Sequence, residues 1–176
     1  MLQSNIKPDE IAAEGKTAFE KGEFEAAVRA FSVSIDVYEA NGDNLNVAEM
    51  KNNLSVALLK CERPREALNA VAGTDEMFAL SGDIRRQAMA IGNRAAALEA
   101  LGKTEEAISD YKQSAELFAR AGAGDLQSVV LKSAAALELR RGHLSEAAVT
   151  MLGSLESVKK PSLLQRSLKL LLRLKP

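Results

Sequence analysis

Apolar residues fall three and four positions apart along most of the chain, as in Val28, Phe31, Ile35 and Tyr38. That is the spacing of one helix face, not the alternation of a half-buried strand. The segments carrying it run about 16 to 18 residues and end at regular breaks. Gly22, Gly102 and Gly142 stand 80 and 40 residues apart, with Glu62 in the slot between the first two. Gly42, Gly82 and Gly122 form a second series with the same spacing of 40, halfway between members of the first. Each 40-residue unit therefore has two breaks and two helices.

Aligning the units gives columns. Ala27, Ala67, Ala107 and Ala147 share one, followed a turn later by Phe31, Val71, Tyr111 and Met151. The small residue lets the two helices of a hairpin approach closely, and the larger one fills the space beside it. Gly15, Ser55, Ala95 and Ala135 form a second small column, in the first helices, while Tyr38, Phe78, Phe118 and Val158 close the second helices with bulk.

With these columns the sequence resembles the tetratricopeptide repeat (TPR) family, most closely at Gly22-Glu-Phe-Glu-Ala-Ala-Val28 and Leu101-Gly-Lys-Thr-Glu-Glu-Ala-Ile108. The resemblance covers roughly residues 8 to 158. It implies an all-α, right-handed superhelical solenoid of four helix-turn-helix repeats, at about 8–42, 43–82, 83–122 and 123–158, in a single domain spanning 1–176. The family's usual unit is about 34 residues with a proline after the second helix. Here Glu39, Ala79 and Ala119 occupy that position, so the second helix is expected to run on to the next glycine. Such lengthened units resemble those of kinesin light chains and G-protein-binding spindle regulators, in shape only. In the second unit, Ala72-Gly73-Thr74-Asp75 predicts a kink or break.

Pro161 ends the fourth hairpin, and Ser162 is placed to cap a last helix, Leu163 to Leu174, of which seven residues are leucine. A capping helix over 161–174 would bury Leu164, Leu168, Leu171 and Leu172 against the open flank of the stack. From Lys159 onward there are six basic residues and no acidic one. Setting those six aside leaves 17 basic residues of the 23 against 24 acidic, a balance of −7. A membrane-surface or partner-docking helix is therefore an alternative to the cap. The leucine excess also suits a homodimer, with the same four leucines as assembly surface.

A formal net charge of −1 gives no global field for gathering nucleic-acid phosphates. Met1 to Asp9 lacks the apolar stretch of a secretory signal, and no run is long enough to span a membrane. The single Cys61 cannot form an internal disulfide, which leaves a reducing cytoplasm as the expected location. His143 lies in a turn and Cys61 at the end of a helix, so no Cys/His dyad or metal cluster is expected. The remaining carboxylates are read as solvated helix faces. No enzyme activity and no cofactor are expected.

The family resemblance implies a concave groove lined by the first helices, which would hold an extended peptide or protein segment. By the alignment its residues are Asn52, Asn53, Val56, Met89, Asn93, Lys132, Ser133 and Arg140, with Asp9, Lys16, Glu49, Ala96 and Glu99 beside them. Asn53 and Asn93 share a column, and an amide both donates to and accepts from a peptide backbone. Their other role would be hydrogen bonding between repeats. Asn93-Arg-Ala-Ala-Ala-Leu98 also resembles chaperone-binding modules with a carboxylate clamp, but only Asn93 carries over, so no such clamp is expected. Lys132 and Arg140 remain as fixed charges for a different acidic ligand. The leading expectation is a protein-interaction scaffold; the alternatives are homodimeric self-assembly and a sensor of a peptide or metabolite.

Overall fold

The sevenfold recurrence of one turn sets the architecture. At each break a residue in the left-handed region ends a helix, and the next amide donates to the carbonyl five residues back, as in Glu23 to Ala18 at 2.9 Å and Asp83 to Phe78 at 3.0 Å. Six of these positions are glycine. The seventh is Glu62, with φ of 58°, and the Arg63 amide still reaches the Leu58 carbonyl at 3.0 Å. The register of 40 is thus kept where the glycine is missing.

The computed structural model describes residues 7–159 and 161–173. Its helices are α1 (Pro8–Glu20), α2 (Phe24–Ala40), α3 (Asn44–Lys60), α4 (Pro64–Val71), α5 (Thr74–Leu80), α6 (Ile84–Ala100), α7 (Thr104–Arg120), α8 (Gly124–Arg140), α9 (Leu144–Ser157) and α10 (Leu163–Arg173). There is no strand among the described residues. Each helix packs on the next, except that α4 and α5, the two pieces of one broken helix, both pack between α3 and α6, so the chain is a helical solenoid of hairpins α1/α2, α3/α4–α5, α6/α7 and α8/α9, followed by α10.

The aligned columns are where the packing is tightest. Ala27, Ala67 and Ala107 are fully buried, Ala147 nearly so, and Phe31, Val71 and Tyr111 are buried beside them. Gly15, Ser55, Ala95 and Ala135 are buried too. The expected break is present: Gly73, in the left-handed region, separates α4 from α5. Phe78 nonetheless fills its slot completely buried, because the break takes up only two residues of the unit.

A further column escaped the sequence reading. Ser34, Ser114 and Ser154 are buried on second helices, and each hydroxyl donates to a carbonyl at the start of its hairpin partner: Pro8 at 3.2 Å, Ala88 at 2.7 Å and Ser128 at 3.1 Å. In the broken unit Thr74 holds this column but bonds the Val71 carbonyl at 2.8 Å and the Asn52 amide oxygen at 3.4 Å. The deviation follows from the break, which places Thr74 at the start of a new helix.

The last helix does not cap the stack as expected. It meets α9 along an edge on which Gln165, Lys169 and Leu172 are half-buried, while Leu164 and Leu168 are 79% and 40% exposed. Lys169 and Arg173 pair with Glu156 on α9, and Leu164 lies on the side turned away from the body. The side chain of Leu171, and Leu174, lie outside the described residues.

Candidate functional site

Helices α1, α3, α6 and α8 present one face made of positions 40 apart. Asp9, Glu49, Met89 and Val129 form its first row; Asn53, Asn93 and Ser133 the second; Lys16, Val56, Ala96 and Ala136 the third. All are exposed or half-buried. The face is not uniform: charged residues dominate its α1–α3 half, whereas exposed Met89 and Val129 with Ala96 and Ala136 make the α6–α8 half apolar.

Most charges on this face are neutralised within it. Glu49 takes Lys16 at 3.1 Å and Arg86 at 3.3 Å. Glu99 accepts from Arg140 at 2.8 Å and from the Tyr111 hydroxyl at 2.9 Å. Burial, then the Glu99 carboxylate, raises the Tyr111 phenol well above its ordinary value. Likewise the Tyr38 hydroxyl donates to Asp9, and burial together with that carboxylate pushes its pKa up to about 12. Arg140 is therefore not an open charge for an acidic ligand, whereas Lys132 is exposed beside Ser133.

The two asparagines of the shared column behave alike. Asn53 and Asn93 are half-buried, and no hydrogen bond among the described residues engages either amide. Inter-repeat bonding thus does not account for them. Asn52 differs: it is 6% exposed and turned inward to Thr74, so it supports the broken helix and is not part of the face. Beside Asn53 a cavity of about 210 Å³ opens between α1 and α3, lined by Lys16, Phe19, Glu20, Phe31, Asn53 and Val56. Its lining is mainly apolar, and its size suits one side chain of a bound segment more than an enclosed small molecule.

Elsewhere the chemistry is sparse. No three His, Cys, Asp or Glu residues gather into a metal-binding group among the described residues. Burial, then the nearby Glu25 carboxylate, raises the Cys61 thiol, which disfavours the reactive thiolate. One carboxylate departs from the expected solvated faces: Glu138 is 2% exposed and held by Lys112 at 2.6 Å. No described helix is long and apolar enough to cross a membrane.

Comparison with known proteins adds two findings. A protein family described as "SNAP: Soluble NSF attachment protein, SNAP" matches residues 21–172. Among solved structures, the crystal structure of BtubC (BKLC) from P. vanneervenii superposes with a TM-score of 0.59 at 16% identity, covering 92% of this chain and 77% of that one. At this identity the likeness shows a common TPR-like helical fold and nothing about function. No curated protein matches the chain.

Proposed function

The chain belongs to the soluble NSF attachment protein family, and from that premise we propose that it is an adaptor that holds a segment of a protein partner on the face of its first helices. A family described by what it attaches has protein partners, and a TPR-like solenoid offers a long surface for them. The observation that carries the assignment of the face is the pair of amides at Asn53 and Asn93, 40 residues apart on adjacent first helices and without hydrogen bonds among the described residues. Half-exposed amides without an internal partner are open to a ligand backbone, to which each can both donate and accept.

The occupant that suits this face is a segment with polar or charged character at one end and apolar side chains at the other. Its apolar residues would meet Met89, Val129 and Ala136, and one side chain would enter the cavity beside Val56. Lys132 and Ser133 would flank its course, with Arg140 contributing only by leaving Glu99. In this reading residues 1–176 act as one non-enzymatic, cofactor-free module in the cytoplasm, and the likeness of its lengthened units to kinesin light chains and spindle regulators is one of shape.

A photoreactive side chain placed at Asn93, and separately at Glu116 on α7, tests the assignment in cell extract. Cross-links to a discrete partner peptide are expected at position 93 and not at 116. Cross-links at 116 alone would place the partner on the other side of the solenoid.

A further inference from the structure

The last helix carries an apolar surface that none of the described residues covers. Leu163, Leu164 and Leu170 are 80%, 79% and 62% exposed. Its packing on α9 is confined to the edge with Gln165, Lys169 and Leu172, so other contacts add to its stability. Ser162 and Gln165 form a reciprocal cap, with the Ser162 amide donating to Oε1 of Gln165 at 2.7 Å and the Gln165 amide donating to the Ser162 hydroxyl at 3.3 Å. The helix is therefore set locally and anchored to the body at an edge, by Lys169 and Arg173 on Glu156.

Around the axis, Leu164 and Leu168 lie roughly opposite Arg166 and Arg173 at about 100° per residue. The leucines cover close to half the circumference, wider than the narrow seam that pairs helices in a coiled coil. The charge is equally one-sided: six basic residues and no acidic one from Lys159 onward, on a molecule whose remainder is strongly acidic. Two such tails facing each other would repel, which argues against a symmetric pairing of copies. A broad apolar face, a basic flank and an acidic body together match an anionic bilayer surface, which attracts the tail and repels the rest.

We propose that α10 docks on anionic phospholipid membranes, lying in the interface with Leu163, Leu164, Leu168 and Leu170 among the headgroups and acyl chains, and Lys159 and Arg166 on the lipid phosphates. This goes beyond the adaptor reading and uses the opposite end of the module from the Asn53 amide. It would place the loaded adaptor at a membrane without any spanning segment.

Co-sedimentation of the full chain with vesicles tests it, using phosphatidylcholine alone and with roughly one-third phosphatidylserine. Binding is expected to be about tenfold or more stronger to the anionic vesicles and to weaken as salt is raised. The double variant Leu164→Ser/Leu168→Ser, altered only at solvent-facing positions, should keep its unfolding temperature and lose most of that binding. Arg166→Glu should reduce it as well. Three outcomes would overturn the proposal: no binding to anionic vesicles, binding indifferent to both variants, or a lipid-free dimer that Leu164→Ser dissociates, which makes a second copy the occupant. The Asn53→Ala/Asn93→Ala variant should bind vesicles normally, so failure here and failure of the adaptor reading are read separately.

Discussion

At position 15 a single methyl group decides between two effects of opposite sign. Alanine is favoured over glycine inside a helix by about 1 kcal/mol, but a Cβ on Gly15 would lie 2.7 Å from Cε1 of Phe31, a buried ring. Overpacking of that kind costs about 1–3 kcal/mol. Gly15→Ala is therefore expected to lower stability by about 1 kcal/mol, measured by urea unfolding, against the propensity trend. The tyrosines contribute to the alkaline limit. Because the folded-state value of Tyr38 is pushed up to about 12, the unfolded chain gives up this proton first. The contribution of Tyr38 is then complete below about pH 10 and declines as pH rises from there towards the folded value; Tyr111 acts in the same direction. Tyr38→Phe should make the urea midpoint fall less steeply over that window. The small columns at Gly15 and Ala27 were legible from spacing alone. The inward turn of Asn52 was not, since a helical projection puts it beside Asn53 and only the break at Gly73 brings Thr74 within its reach.

Among the helices, α5 is the piece with the least support of its own, at seven residues. It is tied in by Arg94 on α6, which pairs with Asp75 on α5 at 3.0 Å and with both carboxylate oxygens of Asp110 on α7 at 2.7 and 3.1 Å. Removing the guanidinium leaves two partly buried carboxylates near each other. With the Arg94 side chain 29% exposed, Arg94→Met should cost about 2 kcal/mol, less than the roughly 3–5 kcal/mol of a fully buried pair. Amide hydrogen exchange should rise first in Thr74–Leu80. Uniform acceleration along the chain would contradict this local role. The break itself was readable in Ala72-Gly73-Thr74-Asp75, but its staple was not, because nothing in the repeat marks a column that only this unit needs. The last helix was legible in its start and cap, and misread in orientation: leucine pattern alone favours burial, whereas the contact with α9 is made by an edge carrying Gln165, Lys169 and Leu172.

For the whole molecule, the period of 40 was enough to give an all-helical solenoid, since each unit contacts its neighbours and little else. The same period organises the candidate face, placing Asn53 and Asn93 in equivalent sites on α3 and α6. What spacing does not reveal is the internal neutralisation of much of that face, where Glu49 takes up Lys16 and Glu99 takes up Arg140, one of the two cations the sequence offers to an acidic ligand. The face is thus better suited to a backbone with mixed side chains than to a string of carboxylates. The most direct measurement is the affinity of the cross-linked partner segment for the wild-type chain and for Asn53→Ala/Asn93→Ala, with thermal unfolding of both proteins alongside. Each amide lost is worth about 0.5–1.5 kcal/mol, so binding should weaken by roughly five- to a hundredfold while the unfolding temperature is unchanged. Equal affinities for the two proteins would contradict the assignment of this face as the binding surface.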